Sequence, residues 1–352
     1  MQSKARAIIA LAILASLISF AKFSHCESSG WATPDQYIHA CYSDIPALFG
    51  ERGLSKGDWA YSNGVDSVEY PVVTGTVMWA LAQITPSGAD AVNKYFHINI
   101  ILIALLLILT SLIIFKLRPE FAYLYPLAPA GIASLYINWD LWAIASMLVA
   151  IYWFDKEKYK WSALALGFSI STKFMPIFLL LPIFLILWRK NRIQEIARYA
   201  GIVIASWLAI NLPVALTTPQ GWWRFYELNL SRGPDWGSPW LAFSILGLPL
   251  ANLNYLTILA LLAGLILIAL IFFEISITPT LAQMSFILLA VVMIVSKVYS
   301  PQYVLWLTPL AILALNKKSI HAFWIWQGGE IIYHIAIWQH LATVTGAPFG
   351  LP

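Results

Sequence analysis

The sequence predicts an all-α polytopic membrane protein with about 11 transmembrane helices, and three observations support this fold class. Hydrophobic residues make up 60% of the 352 residues and charged residues only 11%, whereas soluble domains are nearer to a quarter charged. Long apolar runs recur along almost the whole chain. Many of the 17 tryptophans and 16 tyrosines lie at the ends of these runs, as in the aromatic belts of membrane proteins.

The apolar runs indicate where the membrane helices lie. They cover residues 7–23, 97–115, 121–137, 140–154, 161–172, 175–188, 197–216, 253–273, 281–296, 303–316 and 320–340. The first run follows Lys4 and Arg6, so it is either a retained helix, which we expect, or a signal peptide cleaved near the "SHC" of 24–26. We interpret 1–352 as a single membrane-embedded domain; its end at "GAPFGLP", just after a span, leaves a longer parent protein open.

The distribution of basic residues predicts the orientation. With the N-terminus inside, the inner segments hold 13 basic and 5 acidic residues, and the outer segments hold 8 basic and 12 acidic ones. This bias agrees with the positive-inside rule. We therefore expect a multi-pass protein of the cell membrane with a cytoplasmic N-terminus.

Two large segments, 24–96 and 217–252, are then extracytoplasmic. In the first, apolar residues recur at helical spacing over 35–53, which predicts a short amphipathic helix. Residues 70–84 are apolar but too short to span comfortably, which predicts a second helix lying in the interface. Cys26 and Cys41 both lie there; they form a disulfide in an oxidising compartment or are two unrelated thiols. The second segment predicts a short surface helix followed by irregular chain.

Charges at the ends of apolar runs are candidates for function, because burying a charge is costly. On the outer face these are Asp44, Asp66, Glu69, Asp140, Lys173, Arg224, Arg232, Lys297 and Glu330. Chemistry on that face has no direct access to cytoplasmic nucleotide sugars, so a lipid-carried donor suits it. Lys173 and Lys297 each interrupt apolar sequence at an outer turn, so together they are able to clamp an anionic head group, and Arg224 can add a bidentate contact. The alternative is that these side chains snorkel or are solvated.

The acids suggest proton transfer. Asp44 can act as a general base if it reaches a substrate hydroxyl, although a lone loop aspartate is more often simply solvated. Asp140 begins a helix, where capping is the leading interpretation. The sequence has no HExxH, DxD or glycine-rich nucleotide motif, so we predict no metal and no cofactor apart from the lipid-linked co-substrate.

Four segments together resemble a known family. They are "CYSDIPALFGERGL", "VEYPVVTG", "GFSISTKFMPIFLLLPIF" and "SKVYSPQYVLWLTPL". In this combination and order the chain, from about 37 to 316, resembles the integral-membrane C-type glycosyltransferases. The likeness is to bacterial glycosyltransferase family 87, whose members use polyprenyl-phosphate mannose, and more distantly to the GPI mannosyltransferase I family.

The resemblance implies the C-type glycosyltransferase fold and a reaction on the extracytoplasmic face. A hexose, with mannose as the expected sugar, would pass from a polyprenyl phosphate to a hydroxyl of a glycan or glycolipid, with inversion. Asp44 maps onto the base, and Lys173 and Lys297 onto phosphate ligands. The residues expected to line the substrate are Glu69, Tyr70, Asp140, Gln302 and Tyr303. The eukaryotic relatives carry two neighbouring acids where this chain has only Asp44, which favours a metal-free reaction.

Two rival classes stay open at this stage, a secondary transporter or lipid-linked-substrate flippase, and a non-catalytic scaffold. A transporter predicts charges near the membrane midplane and a pseudo-two-fold repeat. This chain gathers its charges at the outer face and shows no repeated pair of broken helices. No feature indicates nucleic-acid binding; the expected partners are the lipid-linked donor, the acceptor and membrane lipid.

Overall fold

The computed structural model describes residues 2–248 and 250–351, and the regular secondary structure of these residues is entirely helical. The first eight α-helices are α1 Gln2–Ser28, α2 Asp35–Ile38, α3 Asp44–Glu51, α4 Val72–Gln83, α5 Ala91–Leu117, α6 Pro129–Ser134, α7 Asp140–Asp155 and α8 Tyr159–Thr172. They are followed by α9 Leu180–Arg189, α10 Ile193–Thr217, α11 Pro219–Ser231, α12 Pro239–Ile245, α13 Leu253–Glu274, α14 Leu281–Val295, α15 Val304–Ala314 and α16 Ile320–Val344.

Four helices of the described chain, α1, α5, α10 and α13, are long and apolar enough to cross a membrane. Other predicted runs form shorter helices; α7 and α8, with 16 and 14 residues, reach only about 20–25 Å. A bilayer core is about 30 Å thick, so a helix of that length spans only where protein surrounds its ends. The all-helical membrane architecture is confirmed, and the number of 11 spans stays a prediction.

The core lies around α7, which packs against α5 and α8, while α8 also packs against α10. Most of α7 and α15 is buried, whereas α13 is exposed along most of its length and packs on α14. The buried helices are apolar on all sides, as is typical of the centre of a helical membrane protein. The first residue of α7 is Asp140, so the core helix begins with a charged side chain.

One predicted membrane run is wrong. Residues 121–137 do not form a helix of that length; they form a 3₁₀ turn at Ala122–Leu124 and the short helix α6. Pro126 and Pro129 are the physical cause, because proline lacks the N–H that a helix interior needs and clashes with the preceding turn. The broken segment ends at the turn that leads into α7.

The first large loop contains the predicted helices with one change. Residues 70–84 form α4, but 35–53 form two helices, α2 and α3, rather than one. Ala40 has a φ of 53°, which stops the first, and Ser43 then caps the second by accepting the Ile45 N–H at 3.2 Å. This break separates Asp44 from α2 and places it at the start of its own helix.

A disulfide joins Cys26 at the end of α1 to Cys41 beside α3, with an S–S distance of 2.01 Å. Both cysteines are fully buried. The loop that carries Asp44 is therefore tied covalently to the first long helix.

The second large loop consists of α11 and α12 joined by an irregular segment, so the predicted irregular part contains a further short helix. Helix α11 closes against the first loop at Gly221, where an added Cβ would meet the carbonyl oxygen of Tyr61 and the Ser67 hydroxyl. Only glycine permits so close an approach of two backbones. The two loops thus pack directly on one another.

We expect Gly221→Ala to destabilise the protein, because the new methyl group forces α11 away from Tyr61. Overpacking of this kind costs about 1–3 kcal/mol. A lower thermal unfolding midpoint of the purified protein in detergent would show it.

Gly201→Ala, in α10, is the matched control. A Cβ added at Gly201 would have no neighbouring atom within 4 Å among the described residues. Alanine is the better helix former, so this variant should not lower the midpoint. Equal midpoints for the two variants would contradict the close contact at Gly221.

Candidate active site

The position of Asp44 depends on the turn before α7. The Ser43 hydroxyl donates to the carbonyl of Tyr136 at 2.7 Å, and the Asp44 N–H donates to the carbonyl of Ile137 at 2.8 Å. The start of α3 is therefore attached to the chain immediately before Asn138. A segment of the first loop and a turn of the helical core meet at this point.

Three donors surround the Asp44 carboxylate. The Tyr42 hydroxyl donates to Oδ1 at 2.8 Å, and the Asn138 amide donates to Oδ2 at 2.6 Å. The Tyr70 hydroxyl lies 3.3 Å from Oδ2 and also accepts from the Asn138 amide at 2.7 Å. A carboxylate held by several donors has a defined orientation, which a proton acceptor requires.

Lys173 connects the residues around Asp44 to the core helix α7. Its Nζ donates to Asn138 Oδ1 at 3.1 Å, lies 3.6 Å from Asp140 Oδ1, and stands 4.1 Å from the centre of the Tyr70 ring. A cation over an aromatic face in a desolvated site is a favourable contact. The structure thus brings together four of the residues singled out in the sequence: Asp44, Tyr70, Asp140 and Lys173.

Asp140 does not act as a simple helix cap. It is buried at 2% exposure, and its Oδ1 accepts from Trp306 Nε1 at 2.8 Å as well as facing Lys173. Because Asp140 lies in the first turn of α7, the helix dipole still stabilises its negative charge. Within the described residues, Asp140 Oδ2 is buried and receives no hydrogen bond. Capping, the leading sequence interpretation, is therefore replaced by an ion pair and a tryptophan contact.

The electrostatics of the cluster favour an aspartate that titrates near neutrality. Burial raises the pKa of Asp44 to about 6, the Tyr42 hydrogen bond and the Lys173 charge oppose that rise, and Asp140 and Glu69 add to it. The negative charge of Asp44 and then burial raise the pKa of Tyr42, while burial first raises that of Tyr70. Both tyrosines therefore stay protonated and donate to the carboxylate.

Glu69 lies at the edge of this group. Both of its oxygens are held by Arg52, at 2.7 and 2.9 Å, in a bidentate ion pair. This geometry is rigid and strong for a partly exposed pair. Its predicted contact with substrate stays a prediction.

Lys297 and Arg224 make their contacts elsewhere. The Lys297 ammonium donates to the carbonyls of Asn229 and Arg232, at 3.0 and 2.7 Å, and to Asn254 Oδ1 at 2.8 Å. Arg224 lies 3.6 Å from Glu227 on the same helix. Neither of these contact sets includes Lys173, so the predicted three-residue phosphate clamp stays a prediction.

Helix α11 nevertheless connects the two lysines. Phe174, beside Lys173, packs against Phe225 and Tyr226 of α11 with ring centres 6.2 and 6.1 Å apart. Lys297 binds the carbonyl of Asn229, one helical turn further along, or about 6 Å along the axis. The turns that carry Lys173 and Lys297 therefore flank the same stretch of α11.

Tyr303 also relates the two groups, and Gln302 beside it is buried. Tyr303 packs edge-to-face against Tyr299 with ring centres 5.8 Å apart, which places it beside the turn that carries Lys297.

Sequence reasoning missed the central role of Asn138 and the contact of Trp306. "YINWD" at 136–140 reads as a tight turn, and nothing in its spacing shows that Asn138 faces Asp44, 94 residues earlier. The available signal was chemical: a polar amide beside an acid at the start of an otherwise apolar helix.

The comparison with known families supports one assignment. The sequence model of a family described as ALG3 protein matches residues 61–236, half of the chain. No curated protein and no solved structure matches. The matched range contains Tyr70, Asn138, Asp140 and Lys173, whereas Asp44 and Lys297 lie outside it. The specific likeness to bacterial family 87 is not supported.

Asp44 makes stability depend on pH, with a sign that follows from its pKa. Its folded-state pKa of about 6 lies above the ordinary value of 3.8, so its contribution is fully present below the ordinary value and is lost as pH rises through about 6. We expect Asp44→Asn to gain thermal stability relative to the unsubstituted protein between about pH 4 and pH 7. Asp66→Asn, at an exposed residue, is the control, and its unfolding midpoint should run parallel to that of the unsubstituted protein across this range. The same parallel behaviour of Asp44→Asn would contradict the prediction.

Proposed function

The chain belongs to the ALG3 protein family, a family of membrane mannosyltransferases, and we propose that it transfers mannose from a polyprenyl-phosphate donor to a hydroxyl of a glycan or glycolipid. The proposed reaction is inverting, needs no metal, and takes place on the extracytoplasmic face. The observation that carries the proposal is the Asp44 carboxylate, oriented by three donors beside a partly buried lysine and a second acid.

Asp44 is the proposed general base. The acceptor oxygen forms its bond to the anomeric carbon as the bond from that carbon to the phosphate oxygen breaks, and Asp44 takes the acceptor proton. Polyprenyl phosphate leaves with the bonding electron pair. A base with a pKa of about 6 is ionised at neutral pH and is a stronger proton acceptor than an ordinary aspartate.

Lys173, Lys297 and Arg224 are the proposed partners of the donor phosphate. All three belong to α11 or to turns that contact it. Positive charge at that position stabilises the negative charge that develops on the leaving phosphate. The Lys297 ammonium now holds protein oxygens, so a phosphate would replace at least one of them.

An apolar cavity, lined in part by the chain that follows α11, suits the lipid chain of the donor. Its volume is about 740 Å³, and it begins at Trp236 and Tyr299, which a backbone hydrogen bond joins. Tyr299 lies two residues after Lys297, so a chain in the cavity would place its head group near that lysine. The cavity is lined mainly by side chains from α12, α14 and α16 and their flanking residues, including Leu241, Ile245, Phe286, Met293, Ile294 and Trp326.

Asp44→Asn should abolish mannose transfer by the purified protein, because the amide cannot accept the acceptor proton. General-base removal costs about 10²–10⁴-fold in rate. In the unsubstituted enzyme the rate should fall as pH drops through about 6, as Asp44 becomes protonated.

Exposed Asp66→Asn is the control and should keep its activity. The thermal midpoint of each variant shows whether it is folded. A folded and fully active Asp44→Asn enzyme would rule out Asp44 as the base.

Lys297→Ala should raise the KM for the polyprenyl-phosphate donor more than it lowers kcat, if the ammonium binds the donor phosphate in the ground state. The exposed lysine Lys56 offers a matched control, Lys56→Ala. An unchanged donor KM, together with a lowered unfolding midpoint, would assign Lys297 to holding α11 alone. Lys173→Ala tests the other lysine in the same assay.

A further inference from the structure

A second cluster of polar side chains lies beside the disulfide. His25 is in the last turn of α1, Asp35 begins α2, and His39 follows the end of α2. All three are accessible, with side-chain exposures of 44%, 33% and 45%. They share no hydrogen bond with the group around Asp44.

The geometry of the cluster resembles a set of metal ligands. His25 Nε2 lies 2.9 Å from Asp35 Oδ2, and His39 Nδ1 lies 3.1 Å from Asp35 Oδ1. The candidate ligand atoms of the three residues all lie within 4.8 Å of one another. In a tetrahedral zinc shell with bonds of about 2.1 Å, neighbouring ligand atoms are about 3.4 Å apart. Small side-chain rotations would therefore bring the three atoms around one ion.

The backbone holds these residues in place. The disulfide joins Cys26, next to His25, to Cys41, two residues after His39. The N–H of His39 donates to the carbonyl of Asp35 at 3.1 Å, which closes the turn between these two ligands. A preformed arrangement lowers the ordering cost of binding.

The carboxylate is prepared for a cation. The Ser29 hydroxyl donates to Asp35 Oδ2 at 2.8 Å, as an outer-shell partner of a metal-binding carboxylate does. Both cysteines are in the disulfide, so thiolates do not compete as ligands.

We propose that His25, Asp35 and His39 bind one divalent transition-metal ion of the zinc class. Two imidazoles and one carboxylate form a ligand set that such ions prefer, and the exposed side of the cluster leaves room for water as the fourth ligand. Magnesium and calcium prefer shells of oxygen ligands and would bind poorly here.

The ion would stabilise the frame of Asp44 without taking part in the proposed transfer. Tyr37 of α2 stacks on Tyr42 with ring centres 5.5 Å apart, and Tyr42 donates to Asp44. An ion at Asp35 and His39 would therefore fix the helix on which Tyr42 packs. The metal-free reaction predicted at Asp44 is a separate proposal.

The experiment is a zinc titration of the untagged, full-length protein in detergent, followed by calorimetry and by metal analysis after dialysis. We expect one saturable zinc site per chain, no comparable site for magnesium, and a higher thermal unfolding midpoint with zinc. Asp35→Asn and His39→Ala should each weaken zinc binding at least about tenfold.

His97→Ala is the matched control. His97 pairs with Glu27 at 2.8 Å and is also 44% exposed, but it lies outside the proposed ligand set. The His97→Ala variant should bind zinc as the unsubstituted protein does. Mass spectrometry of each variant checks that the disulfide is intact.

Two results would overturn the site: the absence of saturable zinc binding, or equal binding by the His39→Ala and His97→Ala variants. The outcome is independent of mannose transfer, since the Asp44→Asn variant keeps all three ligands. Loss of transfer with zinc binding intact, or the reverse, separates the two proposals.

Discussion

The amide of Asn138 is the contact on which the rest of the site depends. Its nitrogen donates to Asp44 and its oxygen accepts from Lys173, so one neutral side chain joins an acid to a cation. Neither charge can be buried alone at low cost in an apolar protein. The amide lets both approach the same point without forming a direct ion pair. Burial then raises the pKa of Asp44 to about 6, against the opposing charge of Lys173.

The surrounding fold serves to bring this amide to the acid. The prolines of 121–137 interrupt the helix before α7. The resulting turn presents two carbonyls to Ser43 and Asp44, and it also presents the Asn138 side chain to Asp44. The disulfide ties the other partner, the Asp44 loop, to α1. Gly221 allows α11 to pack closely on the first loop. Helix α11 in turn contacts both the turn of Lys173 and the turn of Lys297.

A carboxylate close to one lysine, with a second cationic group further along α11, suits the proposed reaction between two lipid-anchored substrates. In that proposal the donor phosphate and the acceptor hydroxyl meet at the membrane surface, while their lipid chains remain in the bilayer. The apolar cavity beside Tyr299 and the polar group around Asp44 provide two such environments within one helical frame. This division of polarity is the physical basis of the proposed mannose transfer.

Local sequence predicted much of this protein, because apolar runs and charge bias act residue by residue. It identified the helical membrane class, most of the long helices, the helix α4, and Asp44, Tyr70, Asp140 and Lys173 as candidates. It missed the break at 121–137 and the break between α2 and α3, where prolines and a positive φ outweigh hydrophobic periodicity. Only the tertiary structure decided that Asn138 binds Asp44, that Asp140 pairs with Lys173 and Trp306, and that Lys297 holds the end of α11. These contacts join residues that lie far apart in the chain, and their geometry depends on packing that no local pattern contains.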